Sequence, residues 1–225
     1  MNKLLLIEDD MALAMATAFA IETEGFKVTQ VSTLKEAKEQ LTKEDFSLVL
    51  LDANLPDGDG YTFCKNMRND GLTLPIIFLT ALDNEVNVIQ GLEVGADDYV
   101  TKPFRVRELI SRIKANIRRT QINSSSNDIL ILEPFRIDIS GHKVTKNGEA
   151  INLTPSEFRL FTILAKNKNQ TLTRGSLLEQ LWDIDGDFVD DNTLSVYIKR
   201  LREKLGDSKG YISTVRGVGY MISDK

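Results

Sequence analysis

The chain has 225 residues, more than one typical domain and fewer than three, with hydrophobic residues at 42% and charged residues at 27%. That balance supplies one or two cores and excludes a collagen-like, coiled-coil or largely disordered chain. The net charge of −5 is uneven, with 14 Lys and Arg against 19 Asp and Glu in residues 1–120 and 14 against 14 in residues 121–225.

Neither half announces nucleic acid by total charge, so local placement has to decide. No apolar run approaches the ~20 residues of a bilayer span, and no membrane partner is expected. The start, Leu4-Leu5-Leu6-Ile7-Glu8-Asp9-Asp10, runs from apolar straight into acids. A signal peptide would continue to a small-residue cleavage site, so a cytoplasmic protein is expected. Cys64 is the only cysteine and His142 the only histidine. Together they exclude an internal disulfide, a Cys-rich zinc site and any site with several imidazoles. Cys64 reads as a buried helix residue, and His142, after Gly141, as a surface turn residue.

In chain order, Leu4–Ile7, Lys27–Val31, Leu48–Leu51, Ile76–Leu79 and Asp98–Thr101 predict short strands, most of them apolar throughout. Helices are predicted near Leu13–Thr23, Leu34–Thr42, Tyr61–Asn69, Glu85–Val94 and Val106–Arg119. Thr33 and Glu36 open the second as a capping box, the Glu side chain returning to the cap amide. Five strands alternating with five helices predict an α/β doubly wound parallel sheet. The polar run Thr120 to Asn127 reads as a linker. The expected domains are 1–120 and 128–225, with 121–127 between them.

Beyond the linker, Phe135–Ile139 alternates as a strand and Lys146-Asn147-Gly148-Glu149 reads as a hairpin turn. Thr154-Pro155-Ser156-Glu157 forms a capping box with proline at the first helical position. A second helix is predicted from about Arg174 to Trp182, capped by Thr173. A third runs from about Asn192 to Leu205, stopped by Gly206. Tyr211–Tyr220 predicts a closing hairpin around Arg216-Gly217-Val218-Gly219. The expected second domain is small and α+β, with short strands, three helices and a terminal hairpin.

Glu8, Asp9 and Asp10 follow the first strand and Asp52 follows the third, at strand ends where open α/β sheets bind ligands. Carboxylates crowded there repel one another unless a hard cation joins them, and oxygen ligation at an open site suits Mg²⁺. Acids after strands also cap helices, a reading open to Asp10. Thr80 and Lys102 end the fourth and fifth strands on the same rim. Acids, a hydroxyl and an ammonium together suit phosphoryl chemistry, with a carboxylate as nucleophile. The Lys102-Pro103 bond is a candidate for the cis form.

Ile7-Glu8-Asp9-Asp10, Asp52-Ala53-Asn54-Leu55-Pro56-Asp57-Gly58-Asp59-Gly60, Leu79-Thr80-Ala81 and the run Gly95 to Phe104 resemble the receiver domain of two-component response regulators. The resemblance implies a flavodoxin-like five-stranded fold in which Asp52 accepts phosphate from a sensor histidine kinase. It implies Mg²⁺ held by Glu8, Asp9, Asp52 and the backbone carbonyl of Asn54. Lys102 would grip the phosphoryl group, and Thr80 and Tyr99 would act as switch residues. Asp183-Ile184-Asp185-Gly186-Asp187 mimics a calcium loop, but its sixth and twelfth positions are Phe188 and Leu194, so it reads as a solvated acidic loop.

The third helix of the second half carries an apolar stripe of Leu194, Ile198, Leu201 and Leu205. Asn192, Ser195, Val196, Lys199, Arg200 and Glu203 are expected to face outward, flanked by Arg202 and Lys204. Leu153–Phe158, Leu177–Trp182, Asp191–Leu205 and Tyr211–Tyr220 resemble the winged-helix output domain of the OmpR/PhoB subfamily. That likeness implies that the third helix reads bases, with DNA binding by Asn192, Thr193, Ser195, Val196, Tyr197, Lys199, Arg200 and Arg202, and Arg216 on the wing. Trp182 and Tyr197 each divide between burial and a DNA-backbone contact.

The likeness further implies a homodimer on phosphorylation, a direct-repeat DNA site and RNA polymerase as a partner. Its interface would use the fourth helix, fifth strand and fifth helix, with Val88, Glu93, Asp97, Asp98, Glu108, Lys114, Arg118 and Arg119. Val88 stands where relatives carry a cation facing Glu108, so one cross-subunit bridge is expected to be missing. The rival reading is an aspartyl-phosphate phosphatase. It needs a second acid two residues past the nucleophile, where this chain has Asn54. A regulator rather than an enzyme is expected.

Overall fold

The computed structural model describes residues 2–81, 91–120, 129–182, 191–206 and 210–223. The chain divides into two compact units, 1–117 and 118–225. In the first, five parallel strands are β1 (Lys3–Ile7), β2 (Lys27–Val31), β3 (Leu48–Asp52), β6 (Ile76–Ala81) and β7 (Asp98–Lys102), in the order β2-β1-β3-β6-β7. A two-residue pair, β4 (Asn54–Leu55) with β5 (Gly58–Asp59), follows β3. The helices are α1 (Met11–Thr23), α2 (Leu34–Lys43), α3 (Gly60–Asn69) and α4 (Val106–Thr120). Of the helix expected over 85–94, residues 91–93 are helical and the rest, with Val88, lies outside the described residues.

Alternation along the strands sorts the core. Leu4, Leu6, Leu48 and Leu50 pack with Ala18 and Ile21 of α1 and Leu109 and Ile113 of α4. Leu5, Ile7, Val49 and Leu51 pack with Ala37 of α2 and Tyr61, Cys64 and Met67 of α3. Strands buried on both faces must read as continuous apolar runs, and these do. Glu36 departs slightly from the expected box: Thr33 Oγ1 accepts from the Glu36 amide at 3.2 Å, but the carboxylate accepts from the Ser32 amide at 3.0 Å.

The second unit begins with an antiparallel sheet of β8 (Ile129–Leu132), β9 (Phe135–Asp138), β10 (Lys143–Lys146) and β11 (Glu149–Ile151). Asn147 and Gly148, both at positive φ, make the turn between Lys146 and Glu149. Three helices follow: α5 (Pro155–Lys166), α6 (Arg174–Trp182) and α7 (Asp191–Lys204). The capping box of Thr154 and Glu157 forms, and Thr173 Oγ1 accepts from the Ser176 amide at 3.2 Å. The chain closes with β13 (Ile212–Val215) and β14 (Gly219–Ile222), and β14 also pairs with β12 (Leu172–Thr173). Neither β8 nor β12 was expected from the sequence. No helix of the described residues is long and apolar enough to cross a membrane.

Candidate functional site

The pairing of Ile7 with Leu51 sets Glu8 beside Asp52, and the pairing of Ala81 with Lys102 carries the lysine to the same rim. Lys102 Nζ lies 2.6 Å from Glu8 Oε2 and 2.7 Å from Asp52 Oδ2. Asp52 Oδ1 accepts from the Asn54 amide at 3.1 Å. One ligand oxygen from each of Glu8, Asp9 and Asp52 falls within 4.8 Å of the others. Three hard anionic donors at that spacing fit a small divalent cation. Asp10 is not among them: its Oδ1 accepts from the amides of Ala12 and Leu13 and caps α1.

Burial pushes the Glu8 carboxyl above its ordinary range; Lys102 pulls it down and Asp52 pushes it further up. Burial works against the Lys102 ammonium, yet its bonds to Asp52 and Glu8 raise its pKa overall. Thr80 is buried near the end of β6, and burial raises the pKa of the Tyr61 hydroxyl. Tyr99, half-buried on β7, packs against the core layer beside α3. The Lys102-Pro103 bond is cis, as is Glu133-Pro134. A nucleophile-sized carboxylate, an ammonium and a hydroxyl thus converge where a phosphoryl group can be held.

In the second unit the stripe of Leu194, Ile198, Leu201 and Leu205 is buried. A neighbouring arc of α7 is buried too, comprising Thr193, Val196, Tyr197 and Arg200. Arg200 Nη2 and Lys204 Nζ each lie 2.6 Å from Glu157, on its two carboxylate oxygens. The two cations hold the buried Glu157 carboxyl below its usual range against the opposing effect of burial. Arg202 donates to Ile212 O and Thr214 Oγ1 on β13. Arg174 donates to Ser195 Oγ at 3.0 Å and to the Tyr220 hydroxyl at 2.8 Å.

Residues 4–114 match the response regulator receiver domain, and residues 148–222 match the C-terminal domain of transcriptional regulatory proteins. The chain is 40% identical to the sensory transduction protein RegX3 of Mycolicibacterium smegmatis, over 99% of each chain. It is 41% identical to the transcriptional regulatory protein YclJ of Bacillus subtilis, again over 99% of each. Among solved structures it resembles a RitR variant (TM-score 0.81, 29% identity, all of both chains). DrrB, an OmpR/PhoB homologue of Thermotoga maritima, aligns over 99% of each chain at 32% identity, with a TM-score of 0.53. The chain belongs to the OmpR/PhoB-type response regulators. It joins a receiver domain to a DNA-binding domain.

For this response regulator, two residues expected to face outward turn out to be interior. Val196 and Arg200 are buried, as are Thr193 and Tyr197, while Ser195 and Lys199 are exposed and Arg202 is half-buried. A helical wheel sends a guanidinium to solvent by default, but buried Glu157 gives Arg200 a partner inside. Arg216 is exposed at the β13–β14 turn. The side chains of Asn192, Trp182 and Arg119 lie outside the described residues, as does the 183–187 acidic loop.

The carboxylates expected at a subunit interface are corrected likewise. Asp97 is buried and pairs with Arg68 at 2.9 Å, and Asp98 is buried and pairs with Arg112 at 2.8 Å. Arg112 also holds Glu108 at 3.1 Å, and Lys114 pairs with Glu24 at 2.7 Å. Of that set, Glu93 and Arg118 are exposed. Sequence reasoning missed Arg112, Arg68, Arg174 and Tyr61. The signal for Arg112 lay in its position four residues after Glu108 on the same helix.

Proposed function

We propose that this response regulator is switched when a sensor histidine kinase transfers a phosphoryl group to Asp52, and that the switched form regulates transcription in the cytoplasm. The observation that carries the reading is the Lys102 ammonium held between Glu8 and Asp52 at 2.6 and 2.7 Å. An Asp52 oxygen attacks phosphorus, the P–N bond to the donor imidazole breaks, and the imidazole takes up a proton. Glu8, Asp9 and Asp52, with the Asn54 carbonyl, would hold Mg²⁺. When bound, that ion supplies neutralising charge for the phosphoryl oxygens. Lys102 then exchanges its carboxylate partners for a phosphoryl oxygen. Thr80 turns its hydroxyl to the phosphoryl group, and Tyr99 follows.

A protein donor has to seat against this rim. Met11, Met15 and Phe19 are 74%, 65% and 70% exposed at helical spacing, starting directly after the Asp10 cap. Such an apolar stripe marks a protein contact and supports kinase docking on α1. On DNA, α7 enters the major groove and Arg216 contacts the neighbouring backbone or minor groove. Two copies pair through the face around Glu93, Glu108 and Arg118 and read a direct repeat, with RNA polymerase as a further partner.

The deciding experiment incubates the protein with a small phosphodonor and Mg²⁺ and follows phosphate incorporation and DNA affinity. Asp52→Ala is expected to abolish both the label and its enhancement of DNA binding. Undiminished labelling of that variant would sink the mechanism.

A further inference from the structure

Beyond Asp52 the chain folds into the short hairpin of β4 and β5, which starts at Asn54. Asp57 lies at its tip and reaches 23 positions back along the chain to the start of α2. Its Oδ1 accepts from the Leu34 amide at 2.9 Å and its Oδ2 from the Lys35 amide at 3.0 Å. Those amides, that of Leu34 first, hold the Asp57 carboxyl below its ordinary range. The tip also lies close against the helix: a Cβ added at Gly58 would stand 3.0 Å from Leu34 Cδ1. Thr33 Oγ1 takes the next amide, that of Glu36, at 3.2 Å, so α2 already has a local cap. What Asp57 adds is a tether between two distant segments. The base of the hairpin is held separately, by the Asn54 amide on Asp52 Oδ1 at 3.1 Å and by Asp59 Oδ2 on the Thr62 amide at 2.9 Å.

We propose that Asp57 is a positioning residue for Mg²⁺, tying the β4–β5 tip to α2 so that the Asn54 carbonyl is held ready to ligate. The inference rests on the reading in which Glu8, Asp9, Asp52 and the Asn54 carbonyl hold that ion. A carboxylate ligand can turn about its own side-chain bonds, whereas a backbone carbonyl goes only where its segment goes. Strands of two residues give the hairpin little order of its own, since an isolated two-stranded hairpin is marginal in water. Ordering it in advance spares the binding step that cost. Without the tether, the apparent affinity falls by the fraction of time the hairpin spends in the ligating arrangement.

The test titrates isotope-labelled full-length protein with Mg²⁺ and reads the dissociation constant from the magnetic resonance shifts of backbone amides around Asp52. Asp57 is exposed, so its variants leave the core intact, and the dispersion of the same spectra verifies the fold. Asp57→Ala is expected to weaken Mg²⁺ binding about tenfold, the usual scale for losing an outer support of a metal ligand. Thr33→Ala removes the local cap from the same helix end but leaves the tether, and is expected to bind Mg²⁺ as the unsubstituted protein does. Asp57→Asn loses the charge yet keeps an acceptor oxygen, and is expected to recover most of the loss. An equal loss in Asp57→Asn and Asp57→Ala would make the effect one of charge, and an equal loss in Thr33→Ala one of helix stability. Either result overturns the proposal, as does an unchanged affinity in Asp57→Ala. No saturable Mg²⁺ response in the unsubstituted protein removes the Mg²⁺ reading and the proposal with it.

Discussion

The carbonyl oxygen of Asp52 stands so close to Gly60 that a Cβ added there would lie 2.3 Å from it. The Gly60 amide donates to Ala53 O at 2.9 Å, so the end of β3 and the start of α3 share one fixed spacing. Gly60→Ala is expected to push this backbone apart and displace the Asp52 carboxylate from Lys102. Misplacement on the ångström scale costs about tenfold to a hundredfold in rate. Phosphodonor labelling at the wild-type rate in a folded Gly60→Ala protein would show that the spacing is not needed.

Lys102 is the counter-ion of the acid cluster. In Lys102→Ala, Glu8 and Asp52 face each other without it, and the resting protein is expected to lose about 1 kcal/mol of stability. Added Mg²⁺ supplies the missing charge, so its stabilising effect is expected to exceed that on the unsubstituted protein. Thermal melts with and without Mg²⁺ measure both quantities. An equal Mg²⁺ shift in the two proteins would argue against metal binding by these carboxylates.

Arg200→Ala strips a buried carboxylate of one of its two partners, and a loss of about 3 kcal/mol is expected. The same pair sets an acid limit. The folded-state pKa of Glu157 is lowered, so its contribution is complete above the ordinary glutamate value of about 4.3 and fades as pH falls through the folded value. Denaturant titrations followed by circular dichroism are expected to show stability falling below about pH 4.3. In Glu157→Gln that fall is expected to flatten; an identical pH profile would place the acid sensitivity elsewhere.

For assembly, a weak homodimer that tightens on phosphorylation is expected. Asp97, Asp98 and Lys114 are engaged inside the receiver, and each exposed pair left to bridge two copies contributes about 0–1 kcal/mol. Light scattering with a phosphate mimic is expected to show dimers at low salt and fewer at high salt. A strict monomer at high concentration and low salt would refute the dimer.

Much of this was legible in the chain. The run Leu48 to Leu51 could only be a strand buried on both faces, and Asp52 follows from where that strand stops. Thr154 and Glu157 announced the start of α5, because a capping box is a local event fixed within four residues. What escaped was long-range. Nothing near Arg200 reveals that the acid 43 positions earlier is buried beneath it (200 − 157). Asp97 and Asp98 looked like surface acids until Arg68 and Arg112 reached them from other helices. β12 is two residues long and exists only because β14 lies beside it.

The two-sided character of α7 bears on how DNA preference can diverge among such proteins. Thr193, Tyr197 and Arg200 face inward, and Lys204 is tied to Glu157, so changes there weaken the fold before they alter any reading. Ser195, Lys199 and Glu203 are exposed instead. With α7 as the proposed groove helix, new operators are reachable by single steps at these exposed positions. Transplanting a whole helix from a relative would import a charge pattern that the acceptor's own α5 has to match.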